Sequence, residues 1–393
     1  MFNRRNESGA VSLFIVVFAM LLITIVSISF LRLMLKDQQQ ASTSDLSQSA
    51  YDSALAGAED AKRALILYRT VCSTDPSSRV CEDAKNTITS SDCNQGLTQV
   101  ISVPKALDGR NTEVIVQQDQ SSTDGDLNQA YTCVLMKLNT DDYLGTLEVN
   151  TSKIIPLQST DDVKSVTVQW YTIDDLGSSA KTVDLIPRVT AEGSKPLYDQ
   201  ARWVASRPSL LRTQLMQFGS DGFTLPEFDT STGSNSNANT LFLYPAKKTT
   251  TTNDTVDFSD DVRANRAGSL QAIGCLDDLA GGGYACTATI NLPDPIRGGD
   301  RTAFLRLSAF YNKTHFRITL NNQTSQFNAV QPSIDSTGRA NDVFRRAESR
   351  VDLFDTSAPF PEAAVDLTGN LCKDFSVTAD TANWDALKGT CTP

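Results

Sequence analysis

The longest hydrophobic pattern in the chain is an uninterrupted apolar run close to its start. Residues 10–31, AVSLFIVVFAMLLITIVSISFL, contain no charged residue, no proline and no glycine. As a helix these 22 residues extend about 33 Å, which is enough to cross the hydrocarbon core of a bilayer. A cleaved secretory signal would have an apolar core of about 7 to 15 residues followed by a small-x-small site. The pattern therefore predicts a membrane-spanning helix that is retained.

The helical pattern continues beyond the apolar run. Neither glycine nor proline occurs from Ala10 to Ala56, so nothing in the sequence ends the helix at the membrane surface. Apolar residues then recur every three to five positions between polar ones: Leu46, Tyr51, Leu55, Ala58, Ala61, Leu65 and Tyr68. This spacing is typical of a helix with one buried face. We expect one helix from about Ala10 to about Arg69, roughly 90 Å long, with an apolar first half and an amphipathic second half.

After Cys93 the periodicity changes from helical to alternating. VKSVTVQWYTI at 163–173 and AFLRLSAFY at 303–311 are the clearest of several segments that predict half-buried β-strands. Two stretches rich in Ser, Thr and Asn, 230–240 and 247–256, are expected as exposed loops. The body of the protein is therefore predicted to be rich in β-structure.

Composition narrows the possible chemistry. The 393 residues carry a net charge of −11, and because residues 1 to 36 hold four basic residues and one acidic residue, the remainder carries −14. Such a body repels nucleic acid. A single histidine, His315, cannot supply a His-rich zinc site, and no Ser/His/Asp, Walker or G-x-G-x-x-G pattern occurs. We therefore expect no enzymatic activity and no cofactor, although an anchored extracellular hydrolase is a third class to consider.

All eight cysteines follow the apolar run: Cys72, Cys81, Cys93, Cys133, Cys275, Cys286, Cys372 and Cys391. An even number in that position is typical of disulfides in an oxidising compartment outside the cytoplasm. Eight cysteines allow 105 pairings, but spacing favours Cys275 with Cys286 across a triple glycine and Cys372 with Cys391 at the C-terminus. The remaining four are expected to pair as Cys72 with Cys81 and Cys93 with Cys133.

Pairs of aspartates recur in the body, and oxygen-rich loops of this kind bind Ca²⁺ in some proteins. Asp277 and Asp278 are the best calcium candidates, because the loop closed by Cys275 and Cys286 would hold them in place. None of the pairs shows the spaced D-x-D-x-D-G pattern of an EF-hand, so the expectation is that no metal binds.

The N-terminal residues resemble those of a known family. The short leader MFNRRNESG ends in Gly9, directly before the apolar half-helix, and this arrangement is similar to the start of type IV pilin-like proteins, in particular minor pilins of the PilX N-terminal type. The resemblance implies that a prepilin peptidase cuts after Gly9 and leaves Ala10 as the new N-terminus. It also implies that the helix lies in the inner membrane before assembly and packs against other pilin subunits in an extracellular pilus afterwards.

Two further comparisons with that family concern position and fold. Major pilins of the family have Glu as their fifth mature residue, which pairs with the N-terminal amine of a neighbouring subunit, whereas this chain has Phe14. Tip subunits lack that Glu, so the resemblance implies a minor, tip-located subunit. The segment from Val330 to Leu353 is similar to the late sheet strands of pilin-like proteins, where Ile-x-Ser-x-Gly leads through a turn, here Gly-Arg-Ala-Asn, into an Arg-rich strand.

The expected fold class is α+β, with the long helix packed on an antiparallel pilin-like sheet that carries an inserted β-sandwich. The expected segments are a leader (1–9), a membrane or filament-core half-helix (10–36), an amphipathic half-helix (37–70), a disulfide-bonded pilin-like region (71–160), an inserted β-rich domain (161–325) and C-terminal pilin-like strands (326–393). The expected function is that of a non-enzymatic minor pilin that contributes to assembly or to adhesion to a surface or host ligand. The alternatives are a type II secretion pseudopilin and a single-pass anchored surface protein that does not polymerise.

Overall fold

A computed structural model gives the architecture of the protein and describes residues 8–95, 97, 101, 113–116, 129–177, 181–188, 200–219, 238–249, 253–257, 270–296 and 301–354. Helix α1 runs from Ser8 to Thr74 without a break and is about 100 Å long. Helix α2 (Arg79–Ile88) follows after four residues, and its N-cap residue Ser78 accepts a hydrogen bond from the backbone N–H of Cys81. The expected single long helix is confirmed.

The described residues also contain fourteen strands: β1 (Val114–Ile115), β2 (Gln129–Thr140), β3 (Asp142–Leu147), β4 (Ser152–Pro156), β5 (Val163–Trp170), β6 (Leu210–Gly219), β7 (Ala238–Lys247), β8 (Asp254–Asp257), β9 (Leu270–Cys275), β10 (Cys286–Ile296), β11 (Arg301–Phe310), β12 (Thr314–Leu320), β13 (Phe327–Ala340) and β14 (Val343–Arg350). They form two sheets. The residues expected as exposed loops are partly strand, because β7 begins at Ala238 and β8 covers 254–257.

The smaller sheet is antiparallel and has the strand order β1-β2-β13-β14. Helix α1 packs on one of its faces, and a hydrophobic core that includes Leu65, Tyr131 and Ile334 lies between them. Ala340 pairs with Val343, so the chain turns at Asn341 and Asp342. The turn predicted over Gly-Arg-Ala-Asn therefore lies further along the chain, because Gly338 belongs to β13 and faces the helix.

The larger sheet has ten strands in the order β3-β12-β5-β10-β9-β7-β6-β11-β4, with β8 added alongside β10. Its two edge strands, β3 and β4, are consecutive in sequence and separated by only four residues. Since four residues span at most about 14 Å, the two edges lie close together and the sheet is rolled into a nearly closed barrel. One hydrophobic core, which includes Trp170, Leu305 and Phe316, fills its interior.

This roll corrects the expectation of an inserted β-sandwich, which would have two separate sheets. The correction follows from pairing: β6 and β11 form a continuous ten-residue ladder, and β7 and β9 join the two halves of the sheet in parallel. The larger sheet also begins at Asp142, within the region expected to be pilin-like, and ends at Leu320. The expected C-terminal strands are observed up to Arg350, and residues 355–393 lie outside the described residues.

Candidate membrane and assembly interface

The first half of α1 exposes its described side chains on every face. Every described side chain from Leu13 to Asp45 is exposed, although the segment up to Leu35 is almost entirely apolar. Among the described residues, α1 is the one helix that is long and apolar enough to cross a membrane. An apolar surface of this length is unfavourable in water and requires lipid or other helices around it.

The second half of α1 is held against the smaller sheet by residues with small side chains. Those buried at the contact are Ala50, Ser53, Ala54, Ala58, Ala61 and Ala64. A Cβ on Gly57 would lie 2.6 Å from Ser336 Oγ, and a Cβ on Gly338 would overlap the backbone of Ala50 and Ala54. The helix and the sheet therefore approach more closely than any larger residue would permit.

The Ile-x-Ser-x-Gly residues of the sequence account for this approach. Ile334, Ser336 and Gly338 alternate along β13, so all three face the helix. Ile334 is buried in the core, Ser336 lies against Gly57, and Gly338 lies against the backbone of α1. The motif thus sets the spacing and position of the helix on the sheet.

Polar and aromatic contacts fix the helix at both ends of the sheet. Near the apolar half, Arg345 Nε donates a hydrogen bond to Ser47 Oγ at 2.7 Å. In the middle, Tyr131 Oη donates to Asp60 Oδ2 at 2.9 Å. Burial, together with the Asp60 carboxylate, raises the pKa of Tyr131 well above its usual value. At the far end, the guanidinium of Arg69 lies 4.7 Å from the centre of the Phe354 ring.

These contacts define where the larger sheet is attached. Phe354 follows Leu353, whose N–H bonds to the carbonyl of Val330, so the start of β13 lies near the C-terminal end of α1. Both connections to the larger sheet, at residue 141 and at 321–326, leave the smaller sheet from this same end, where Thr140 pairs with Phe327. The larger sheet is therefore attached at the end remote from the apolar half of α1.

Side chains from both sheets meet at this attachment. The Gln331 amide accepts a hydrogen bond from Leu144 N at 2.9 Å and donates to Leu144 O at 2.8 Å, so it substitutes for a strand partner on the free edge of β3. Asp142 accepts hydrogen bonds from Arg317 on β12 and from Arg350 on β14. These bonds, of which those of Gln331 and Arg317 are half-buried, hold the two sheets in a defined relation.

The expected peptidase cleavage site and the residue that replaces the family's Glu lie in the exposed half of α1. Gly9 and Ala10 fall within α1, but their side chains lie outside the described residues. Phe14 is 73% exposed and shares the unpaired apolar surface. A second set of exposed apolar residues, Tyr51, Leu55, Ile66 and Leu67, lies on the amphipathic half. The exposed apolar surface of α1 therefore extends beyond the membrane-spanning length.

Among the described residues, three disulfides brace the body: Cys72–Cys81, Cys93–Cys133 and Cys275–Cys286. The last matches the pairing favoured by spacing, and the first two match the pairings expected for the remaining cysteines, whereas Cys372 and Cys391 lie outside the described residues. The first joins α1 to α2, and the second joins the segment after α2 to β2. The third joins β9 to β10 where the two strands pair.

The calcium candidates are not brought together with other ligands. Asp278 Oδ1 accepts a hydrogen bond from the backbone of Ala280, and Asp277 lies 3.9 Å from Lys247 Nζ. No group of three His, Cys, Asp or Glu side chains suited to a metal occurs in the described part of the chain. The hypothesis of a calcium site at this loop is therefore without support from the geometry.

One polar pair was not foreseen. His315 Nδ1 lies 2.7 Å from Asp175 Oδ1, and the other oxygen of this buried carboxylate accepts hydrogen bonds from the backbone of His315 and Thr172. The pair joins the end of β5 to the start of β12. Because 140 residues separate the partners, nothing in the local sequence indicates it.

The architecture is thus a long apolar N-terminal helix followed by a mostly β body. Comparison of the chain with protein-family models, with curated proteins and with solved structures finds no match.

Proposed function

We propose that this chain is a non-enzymatic minor subunit of a type IV pilus, processed after Gly9 and located at the tip of the filament. The observation that carries the proposal is the division of α1. Its first half exposes an apolar surface from Leu13 to Leu35, and its second half is packed on an antiparallel sheet through small residues. Lipid covers the first half before assembly, and the helices of other subunits cover it afterwards.

The proposed tip position has two supports. Phe14 occupies the position where the resembling family has the Glu that docks a subunit beneath its neighbour, so this chain lacks a partner for an N-terminal amine. The larger sheet is attached at the end of the smaller sheet remote from the apolar half-helix. In a filament with the apolar half-helices directed towards the cell, this sheet occupies the space that the next subunit would need.

The decisive experiment is the determination of the mature N-terminus by mass spectrometry. We expect the first residue to be Ala10. The variant Gly9→Leu should accumulate as the full-length chain, and Ser8→Ala serves as the matched control that is still cut. An intact Met1 in the wild-type protein, or a cut beyond Leu31, would contradict the proposal.

Two alternative functions would also use the long N-terminal helix. The location of the protein in the cell distinguishes them from a pilus subunit. A type II secretion pseudopilin would be processed identically but would depend on a secretion system, with no label on surface pili. A single-pass anchor is favoured by the apolar helix alone, and it would keep its leader and remain in the envelope. Immunogold label on shed filaments supports the pilin assignment.

A further inference from the structure

The chain contains five copies of the acceptor pattern for N-glycosylation, Asn-x-Ser/Thr with a middle residue other than proline. The asparagines of these patterns are Asn6, Asn150, Asn253, Asn312 and Asn322. The pattern is short and recurs by chance, so accessibility and the neighbouring residues decide which copy can be modified. Asn6 belongs to the expected leader and lies outside the described residues, which leaves four acceptors to compare.

Asn150 lies in the turn that joins β3 to β4, the two edge strands of the larger sheet. Thr151 N donates a hydrogen bond to Glu148 O at 3.1 Å, which closes the turn. Asn150 N donates to Ala309 O at 2.8 Å, which holds the turn against β11. Every residue from 148 to 151 is exposed. The φ of Asn150 is 62°, a left-handed conformation that asparagine adopts more readily than most residues. The Asn150 side chain therefore projects from a defined and accessible turn.

The amide group of Asn150 is available for reaction. Within the described part of the chain, its side chain has no hydrogen-bond partner, so Nδ2 can approach a reactive carbon without first breaking a bond. The hydroxyl that the pattern requires belongs to Ser152, whose Oγ accepts hydrogen bonds from Arg306 Nε and Nη2 at 3.1 and 3.0 Å. A guanidinium only donates, so these bonds leave the hydroxyl proton of Ser152 for an enzyme to bind.

The side chains of the other three acceptors are engaged. Asn312 Nδ2 donates to two backbone carbonyls, both at 2.8 Å. Asn322 Oδ1 accepts a hydrogen bond from Thr167 Oγ1 at 2.9 Å. Asn253 is exposed, but its Oδ1 accepts a hydrogen bond from Lys248 Nζ at 3.2 Å. Among the four acceptors that the structure describes, Asn150 is the one whose amide has no partner.

A carboxylate two positions before the acceptor is a second feature of Asn150. Glu148 occupies this position, whereas the other four patterns have Arg4, Thr251, Phe310 and Leu320 there. Bacterial oligosaccharyltransferases recognise this longer pattern, Asp/Glu-x-Asn-x-Ser/Thr. The Glu148 side chain is exposed and has no ion-pair partner in the described part of the chain, so it is free to bond a basic group of such an enzyme.

We propose that Asn150 is an N-glycosylation site that receives an oligosaccharide from a polyprenyl pyrophosphate carrier, with Glu148 and Ser152 as the recognition residues. The bond between the anomeric carbon of the sugar and the carrier's phosphate oxygen breaks, and a bond between that carbon and Asn150 Nδ2 forms. One amide proton passes to a basic group of the transferase, and the polyprenyl pyrophosphate leaves. This inference rests on the proposed display of the body outside the cytoplasm. The glycan would be a bulky, hydrated group beside both edge strands.

The test uses the full-length protein purified from the cells that produce it. Trypsin cleaves after Lys137 and Lys153 and releases residues 138–153, which contain two asparagines, Asn139 and Asn150. Electron-transfer fragmentation in the mass spectrometer keeps glycans attached and assigns an added mass to one residue. We expect the mass of an oligosaccharide on Asn150. Alkaline β-elimination should not release it, because that reaction frees glycans from Ser and Thr hydroxyls and not from an amide nitrogen.

Variants separate the acceptor from its recognition residues. Asn150→Asp should abolish the modification, and aspartate also tolerates a left-handed backbone, so the turn is preserved. Ser152→Ala should abolish it as well, whereas Ser152→Thr keeps the hydroxyl and should remain modified. Glu148→Gln should lose the modification although the acceptor pattern itself is intact. Thermal unfolding of each variant confirms that the protein is folded.

Asn253→Asp is the matched control, because it removes an exposed acceptor that lacks the preceding carboxylate. It should leave the mass of residues 138–153 as in the wild type. An unmodified wild-type peptide, a glycan placed on a hydroxyl, or full modification of Glu148→Gln would overturn the inference. A mature N-terminus at Ala10 with an unmodified Asn150 would overturn only this inference and leave the pilin proposal standing. A modified Asn150 in a chain that keeps Met1 would support this inference and contradict the pilin proposal.

Discussion

At the scale of single residues, the distance between α1 and the smaller sheet is set by two glycines. Gly57 is on the helix and Gly338 is on β13, and each lies where a side chain would meet the opposite element. Glycine in the interior of a helix or strand is intrinsically unfavourable by about 0.5 to 1 kcal/mol. The close packing of backbone against backbone offsets that cost, which explains why the long helix contains a glycine in its buried half.

Replacement of Gly338 by alanine should therefore separate the two elements. The new Cβ would overlap backbone atoms of Ala50 and Ala54, which cannot move as a flexible side chain can. We expect Gly338→Ala to lower the free energy of unfolding by about 1 to 3 kcal/mol, as measured by urea unfolding. Gly281→Ala is the matched control, because a Cβ there meets nothing within 4 Å. Equal stability of the two variants would contradict the close approach.

Buried tyrosines give the protein a characteristic response to alkali. Burial raises the pKa of Tyr131, Tyr143 and Tyr171, with a further contribution from a neighbouring carboxylate in each case. Above pH 10 the unfolded chain loses these protons while the folded protein keeps them, so the folded state binds more protons and the free energy of unfolding falls. The stabilisation is complete below pH 10 and is lost as the pH rises towards the raised pKa values.

The expected slope is about 1.4 kcal/mol per pH unit for each such tyrosine. Tyr131→Phe should remove the contribution of this one tyrosine to the pH dependence of the free energy of unfolding between pH 10 and 11. Urea unfolding at several pH values measures that dependence. An identical slope in wild type and Tyr131→Phe would show that Tyr131 titrates alike in the folded and unfolded chains.

At the scale of elements, local patterns were sufficient for α1, for most strands and for the Cys275–Cys286 disulfide. The helix follows from the absence of glycine and proline from Ala10 to Ala56, and Cys275 pairs with Cys286 because the ten residues between them, which include three glycines, close easily. The roll of the larger sheet was not predictable, since it depends on the parallel pairing of β7 with β9. The start of that sheet at Asp142 was missed as well, because DYLGTL is short and contains a glycine.

The free edge of β3 supplies a prediction at this scale. Gln331 bonds both backbone groups of Leu144, so Gln331→Leu would leave a half-buried N–H and a half-buried carbonyl without these partners. We expect a loss of about 2 to 4 kcal/mol in stability and faster hydrogen exchange at the Leu144 amide. Gln326→Leu, which removes only an exposed bond to Asp141, should change stability by less than about 0.5 kcal/mol. An unchanged hydrogen-exchange rate at the Leu144 amide would contradict the conclusion that Gln331 protects the free edge of β3.

At the scale of the whole molecule, the apolar half of α1 and the larger sheet lie at opposite ends of the smaller sheet. The attachment between the sheets is held by Gln331 and by Asp142 with its two arginines. If the chain is the pilus subunit proposed above, a pull on the larger sheet would pass to α1 through paired strands and a close-packed helix. In the proposed filament, the larger sheet would lie beyond the sheet that packs on α1, in the space of the next subunit.

This geometry predicts the number and position of copies in a filament. If the larger sheet prevents another subunit from packing beyond it, each filament accommodates the protein only at its end. Immunogold labelling of an epitope on the body should then give label at one end of a filament, with a number of gold particles that does not increase with filament length. Overproduction of the protein should raise the number of filaments or leave it unchanged, without label along the shaft. Label spaced along the shaft would contradict the tip position, because it would require subunits to pack beyond the larger sheet.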